Sequence, residues 1–173
     1  MRENVFLRDT TLSSIAASDG RRLEIVATGL PLHRGVPLGC DASLVSPLHT
    51  DGSPWSDADW RPGVAIQRAE EDKDTTYPEL VDSDQLRLVT LACETGGRWS
   101  KQCLDTIRAL AHAKAREAPH RLRRAAALAW ERRWTAMLSV TVQSALASTL
   151  VDDAPRLLDA ADEEAPPVVD LVQ

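Results

Sequence analysis

The chain of 173 residues has few cysteines and few aromatic residues. Its three cysteines, Cys40, Cys93 and Cys103, form no CxxC pair, and its four histidines show no spacing typical of a zinc site. A zinc site of this kind is therefore not indicated. We expect the cysteines to be small residues of the hydrophobic core.

Long apolar runs are also missing from the sequence. The first residues lack a basic segment followed by an apolar core, and no run approaches eighteen uncharged apolar residues. We therefore expect neither a signal peptide nor a membrane span, and a soluble intracellular protein. No internal repeat is present, and a hydrophobic content of 43% is sufficient for one domain with its own core.

Charge is strongly segregated along the chain, although the net charge is only −6. Residues 98–134 carry ten Arg or Lys against three acids, whereas residues 51–84 carry ten acids against three bases. Eight of the ten bases in 98–134 are Arg, which suits bidentate phosphate contacts better than solubility alone requires. The basic block is thus either a nucleic-acid-binding face or a solvated helix surface.

Three stretches of the sequence have the pattern of β-strands. Residues 21–28 and 40–45 are rich in aliphatic residues, are separated by Gly and Pro, and together predict a hairpin. Residues 86–93 form a nearly unbroken apolar run, which predicts a buried strand. Residues 1–20 are polar and weakly patterned, so they are predicted to be a lead-in segment.

Helices are predicted from end signals and periodicity. Pro62 suits the first residue of a helix that continues to about Thr76. Ser100 is a good N-cap for a second helix, and a third is predicted from Pro119 to about Leu150. The order of elements predicts an α/β fold, with a small mixed sheet flanked by helices and a long C-terminal helix.

An aspartate within a predicted strand is the most unusual feature of the sequence. Asp41 has Leu44 and Val45 as neighbours, which favours burial, and a buried carboxylate needs a cation or a donor beside it. If the first two strands pair, Glu24 lies near the same end of the sheet, and Glu94 ends the next strand at a similar position. Three converging carboxylates are typical of a Mg²⁺ site completed by waters. The alternatives are that Glu24 points to solvent and that Glu94 caps the following turn.

A lysine and a tyrosine are predicted to lie one helical turn apart. Lys73 stands among five acids, and Tyr77 follows it on the same face. A surface salt bridge is one interpretation of Lys73. The other is hydrolysis of a phosphodiester, in which one of the two side chains orients the attacking water and the other holds the phosphate.

These segments together resemble a known family. The resemblance rests on five segments in order: LEIVATGLPL, DASLVSPL, EDKDTTYPEL, LVTLACETGGRWS and WERRW. This order is similar to that of the C-terminal, restriction-endonuclease-like region of non-LTR retrotransposon polyproteins, including divergent dinoflagellate copies. The resemblance covers about residues 20–151. It implies a nuclease site of the PD-(D/E)xK type, with Glu24 as the first acid, Asp41 as the strand aspartate, and Lys73 and Tyr77 as the helical pair.

The chain departs from the family pattern in two respects. The first acid of the family is usually Asp after Pro or a small residue, whereas Glu24 follows Leu23 and is one methylene longer. The chain also has no reverse-transcriptase region and no Cys/His knuckle, so it resembles a fragment or an orphaned copy.

The resemblance implies a metal-dependent DNA endonuclease, a nickase domain derived from a non-LTR retrotransposon. Asp41 and Glu24 are expected to hold Mg²⁺ or Mn²⁺, with Glu94 as a third candidate ligand. DNA is the expected partner, with neither a membrane nor a small-molecule cofactor, and the location is expected to be nuclear if the protein acts on DNA. The alternative is an inactive remnant that binds nucleic acid or protein through its Arg-rich helices, and a chain without function is a third interpretation.

Three segments are predicted along the chain: a lead-in over residues 1–20, an endonuclease-like domain over 21–151 and an acidic, disordered tail over 152–173. Arg98 follows two glycines before the helix capped by Ser100, where free backbone N–H groups offer a phosphate site. The alternative for that stretch is a turn with a structural role alone. The other candidate nucleic-acid contacts lie on the next predicted helix: Arg121, Arg123, Arg124, Arg132 and Arg133.

Overall fold

The computed structural model describes residues 1–10, 12, 14–81 and 83–164, with side chains described as far as Val151. It consists of two compact units, Met1–Thr135 and Ala136–Gln173. The boundary between them falls inside the stretch predicted as one domain.

The first unit is built on a mixed four-stranded sheet. Its strands lie in the order β1-β2-β3-β4. Strand β2 pairs antiparallel with both β1 and β3, whereas β3 and β4 pair in parallel. The strands are β1 (Arg2–Phe6), β2 (Arg22–Ala27), β3 (Leu38–Val45) and β4 (Arg87–Glu94).

Helices make the connections that this sheet requires. Parallel neighbours such as β3 and β4 need a crossover, and two helices of the chain lie between them. The predicted α/β fold, with a small mixed sheet and a long C-terminal helix, is therefore confirmed. The helices are α1 (Val64–Thr76), α2 (Pro78–Val81), α3 (Lys101–Ala115) and α4 (Arg123–Glu164).

The two faces of the sheet are covered by different helices. Successive residues of a strand point to opposite faces. Leu88 of β4 packs in a cluster with Tyr77 and Leu80, which lie at the junction of α1 and α2. The next residue, Val89, packs in a second cluster with Leu110 of α3. Helices α1 and α2 thus lie on one face and α3 on the other.

Local signals in the sequence produce the predicted caps and core residues. The Ser100 hydroxyl accepts a hydrogen bond from the Cys103 N–H at 3.0 Å, which confirms Ser100 as the N-cap of α3. Gly97 has a φ of +87°, a left-handed conformation that glycine adopts without strain, in the turn before α3. All three cysteines are buried and free, as the sequence predicts.

Residues 1–20, predicted as a lead-in segment, contain a strand instead. Strand β1 pairs antiparallel with β2, with Val5 opposite Leu23. Val5 and Leu7 are buried in the cluster that also contains Leu23. An edge strand of five residues has only a few inward positions, so its alternation is too short to stand out from a polar background.

The C-terminal region also differs from the prediction. Helix α4 continues as far as Glu164, through the first part of the predicted disordered tail, and residues 165–173 lie outside the described residues. The stretch His120–Val151 is long and apolar enough to cross a membrane by length and composition. Length and composition alone do not identify a span, so the prediction that no membrane is involved stays a prediction.

Candidate active site

Asp41 is a buried carboxylate with a cation beside it. Asp41 lies in the middle of β3, and the whole residue is only 4% exposed. Lys73 of α1 places its Nζ atom 3.0 Å from Asp41 Oδ1, and the lysine side chain is 26% exposed. The sequence therefore predicts both the burial of Asp41 and the need for a positive partner correctly, and α1 provides that partner.

Tyr77 also lies close to the Asp41 carboxylate. It is 4% exposed, and its hydroxyl donates a hydrogen bond to the backbone carbonyl of Arg22 on β2. Burial, followed by the hydrogen bond and charge of Asp41, raises the pKa of Tyr77, so the phenol is protonated at neutral pH. Because Tyr77 is buried, it supports Asp41 and β2 from inside and does not face solvent.

Arg21, together with two acidic side chains, fixes the end of α1 against the start of β2. Arg21 donates to the Thr76 carbonyl at the end of α1. Its Nη2 atom lies 2.7 Å from both Asp19 Oδ2 and Glu79 Oε1. These contacts hold the segment that carries Tyr77 next to β2. They are not predicted from the sequence because Arg21 and Glu79 are far apart in the chain.

Glu24 lies where β2 and β3 separate. The pairing of the two strands ends at Ile25 opposite Cys40. One residue earlier in β2, the Glu24 carboxylate accepts a hydrogen bond from the Ala42 N–H at 3.0 Å. The Glu24 charge also contributes to the raised pKa of Tyr77, so this carboxylate and Asp41 both act on the same phenol. Glu24 therefore lies on the strand next to Asp41, and it is exposed, as in the alternative in which it points to solvent.

A groove opens beside Lys73. It has a volume of about 820 Å³, and its walls include Ser43, Arg68 and Lys73. Trp55 also lines the groove, with its indole N–H donating to the Ser46 carbonyl at 3.0 Å. The Arg68 guanidinium lies 4.6 Å from the centre of the Trp55 ring. Neither residue is predicted from the sequence, since Trp55 lies in a loop without a recognisable pattern and Arg68 is one charge among many on α1.

Glu94 is not brought together with Asp41. In the parallel register, Asp41 lies opposite Thr90, whereas Glu94 lies opposite Val45 at the far end of the strands. Four residues of strand separate these two levels, or roughly 13 Å. The prediction of three converging carboxylates is wrong for this acid because β3 and β4 are parallel, so the end of β4 lies beside Val45, four residues beyond Asp41.

Glu94 has a partner of its own. Arg98 Nε lies 3.1 Å from Glu94 Oε2, and the arginine side chain is 53% exposed. The glutamate is 8% exposed, so the pair resembles a structural contact that closes the turn between β4 and α3. Arg98 is thus exposed, as a phosphate contact requires, but its guanidinium already binds a carboxylate.

A metal ion at this site would have two protein carboxylates. Among the described residues, no group of three or more His, Cys, Asp or Glu side chains is placed to hold a metal ion. Asp41 and Glu24 alone still fit Mg²⁺, which is usually bound by one or two carboxylates together with waters and substrate phosphates. The donor set is therefore compatible with the predicted cofactor only if substrate completes it.

The predicted DNA-contacting arginines of α4 are exposed but do not share one face. The helix turns by about 100° per residue. Arg124 and Arg132 are therefore about 80° apart on one side of the helix, and Arg123 and Arg133 are about 80° apart on the opposite side. None of these four, nor Arg121 in the preceding turn, forms an ion pair with a described carboxylate. One DNA duplex would therefore contact only part of this set.

The chain matches no protein-family model, no curated protein and no solved structure. The resemblance to a retrotransposon endonuclease accordingly stays a prediction.

Proposed function

We propose that the chain is a metal-dependent DNA endonuclease, a nickase domain derived from a non-LTR retrotransposon. The observation that carries this proposal is the contact of Asp41 with Lys73 at 3.0 Å, next to Tyr77 and Glu24. These four residues come from β2, β3, α1 and the residue that follows α1, and they are the four that the resemblance assigns to catalysis. A purely structural ion pair needs only two of them.

Each side chain has a distinct part in this proposal. Lys73 lines the open groove, so a phosphate of DNA in that groove can reach its ammonium, which binds phosphate as a point charge. Tyr77 is a positioning residue, since its neutral phenol donates to β2 and holds it beside Asp41. Asp41 and Glu24 would hold Mg²⁺ or Mn²⁺. When bound, such an ion supplies an activated water and stabilises the charge that develops on phosphorus.

The direct test is nicking of supercoiled plasmid DNA by the purified full chain with Mg²⁺ or Mn²⁺. We expect Asp41→Asn to abolish nicking, because the amide keeps the shape of the carboxylate but not its charge. Glu94→Gln is the matched control, since it changes a buried acid of the neighbouring strand outside the site. Equal nicking by wild type and Asp41→Asn would refute the assignment.

An inactive remnant that binds nucleic acid is the second candidate function. It is favoured by the exposed arginines at the start of α4, which do not depend on the Asp41 site. In this case, wild type binds duplex DNA with a steep salt dependence but does not nick it with either metal. Under both proposals the partner is DNA, and we expect the protein to act in the nucleus.

The two faces of α4 can be compared in the same binding assay. The paired substitutions Arg124→Glu with Arg132→Glu, and Arg123→Glu with Arg133→Glu, reverse charge on different sides of the helix. We expect only one of the pairs to reduce the slope of log affinity against log salt, by about one unit for each phosphate that the variant no longer binds. Unchanged slopes in both would mean that these arginines form only a solvated surface.

A further inference from the structure

The middle of α4 is an uncharged stretch of helix with exposed apolar side chains. Residues 134–151 contain no Asp, Glu, Lys or Arg. Within this segment, Met137, Val140 and Leu150 are 56%, 66% and 65% exposed, and Val151 is 70% exposed. Exposed apolar patches of this kind mark interaction surfaces.

The exposed residues include a regular stripe. Met137, Val140, Ser144, Ala147 and Val151 follow one another at alternating steps of three and four residues. This spacing is the 3.5-residue repeat with which one helix packs against another. Small side chains at two of the five positions allow a second helix to approach closely.

Opposite charges flank the uncharged segment. Arg132 and Arg133 come immediately before it, and Asp152 and Asp153 come immediately after it. Two antiparallel copies would place the basic flank of each segment beside the acidic flank of the other. Two parallel copies would place like charges together, which is destabilising. The charge pattern is therefore complementary to a second copy of itself in one orientation.

We propose that residues 134–151 of α4 pair antiparallel with the same segment of a second copy of this chain. The two acidic residues that follow the segment favour this occupant over a membrane, since anionic lipid surfaces attract basic flanks and give the acidic flank no partner. The proposal does not depend on the endonuclease activity.

The test is the dimer dissociation constant of the full chain, measured by sedimentation equilibrium. We expect Arg132→Asp with Arg133→Asp to weaken the dimer at least about tenfold, and Asp152→Arg with Asp153→Arg to do the same. All four substitutions in one chain restore opposite charges across the pair, so this variant should dimerise within about threefold of wild type. Helix content, measured by circular dichroism, shows whether each variant is folded.

Two single substitutions control for a general effect of surface charge. Val140→Glu should give a monomer because it places a charge in the stripe. Trp60→Glu, at a site 71% exposed in the first unit, should leave the dimer unchanged.

Three results would overturn the proposal. One is a wild-type chain that is monomeric up to its solubility limit. Another is a dimer with equal affinity in wild type and both charge-reversed variants. The third is a wild-type monomer that sediments with phosphatidylcholine vesicles, which would identify the segment as membrane-binding.

Discussion

Two buried acids lie on the same pair of parallel strands, and they differ in where their partners come from. Asp41, in the middle of β3, is paired at 3.0 Å with Lys73 from a helix 32 residues later. Glu94, at the end of β4, is paired at 3.1 Å with Arg98, only four residues later. The distances are nearly equal, but the local pair closes one turn, whereas the long-range pair joins a strand to a helix.

The two pairs also differ in the residues around them. The Asp41 pair is accompanied by Tyr77 and Glu24 and borders a groove through Lys73. Burying charge is costly. A protein in which apolar residues of similar volume replace a buried ion pair is often equally stable, so stability alone is a weak reason to keep such a pair. The further polar groups and the groove beside the Asp41 pair are the features on which the proposed nuclease site rests.

Removing the lysine should have the largest effect on stability. Lys73→Met leaves Asp41 buried without its cation, and we expect the free energy of unfolding to fall by about 3 kcal/mol, the lower end for a broken buried pair because Lys73 is partly exposed. Urea denaturation measures this. The double variant Asp41→Asn with Lys73→Met should recover at least half of the loss, and a single-variant loss below about 1 kcal/mol would contradict the strong coupling that we infer.

Removing the buried hydroxyl should have a smaller effect. Tyr77→Phe keeps the ring in the core but deletes the donor to the Arg22 carbonyl, and we expect a loss of about 1.5 kcal/mol in the same denaturation experiment. If the hydroxyl positions Asp41, the variant should also nick plasmid more slowly, with unchanged DNA affinity. A variant with normal stability and normal nicking would remove Tyr77 from the site.

The pair of Arg98 and Glu94 should contribute less to stability than either Lys73 or the Tyr77 hydroxyl. Arg98→Ala removes a guanidinium that is half exposed, and water can replace part of its contact with Glu94, so we expect a loss of about 1 kcal/mol. A loss equal to that of Lys73→Met would erase the difference between the two pairs. If Arg98 also binds phosphate, DNA affinity falls as well, which an anisotropy titration would detect.

The smallest expected effect on stability is the pH-dependent contribution of Arg21, which holds α1 against β2 through Asp19 and Glu79. Hydrogen bonds from Arg21 lower the pKa of Asp19 and of Glu79. Carboxylates with a lowered pKa stabilise the fold above their unfolded pKa and lose that contribution as the pH falls through their folded pKa. The melting temperature of Arg21→Gln should therefore lie below that of wild type at pH 7, and the difference should shrink below about pH 4. A difference that stays constant with pH would show that these ion pairs do not contribute.

The sequence predicts those parts of the site that depend on local pattern. Asp41 stands out because a carboxylate interrupts an aliphatic strand. The spacing of Lys73 and Tyr77 predicts that they lie close together, although α1 ends at Thr76. Glu94 is misplaced because an apolar run does not reveal the direction or the register in which two strands pair. The two glycines between Glu94 and Arg98 indicate a tight turn, and such a turn could have indicated their ion pair.

Other features are invisible in the sequence for related reasons. Strand β1 is stabilised by pairing with β2 and by burial of Val5 and Leu7, and its polar composition obscures both. The contact between Arg21 and Glu79 joins distant segments, and no periodicity predicts such a contact. The order of the strands follows the predicted hairpin and crossover, so the fold class is more accessible from sequence than the contacts within it.

The most direct test of the central claim is the binding of Mn²⁺, measured as the loss of the free-ion signal in electron paramagnetic resonance. The titration is done on the full chain with a nuclease-resistant phosphorothioate duplex, whose own binding is subtracted with a protein-free control. We predict about one Mn²⁺ site per wild-type chain, affinity at least about tenfold weaker in Asp41→Asn and in Glu24→Gln, and no change in Glu94→Gln. No bound Mn²⁺ in wild type, or equal binding in Asp41→Asn, would contradict the assignment of Asp41 as the centre of a nuclease site.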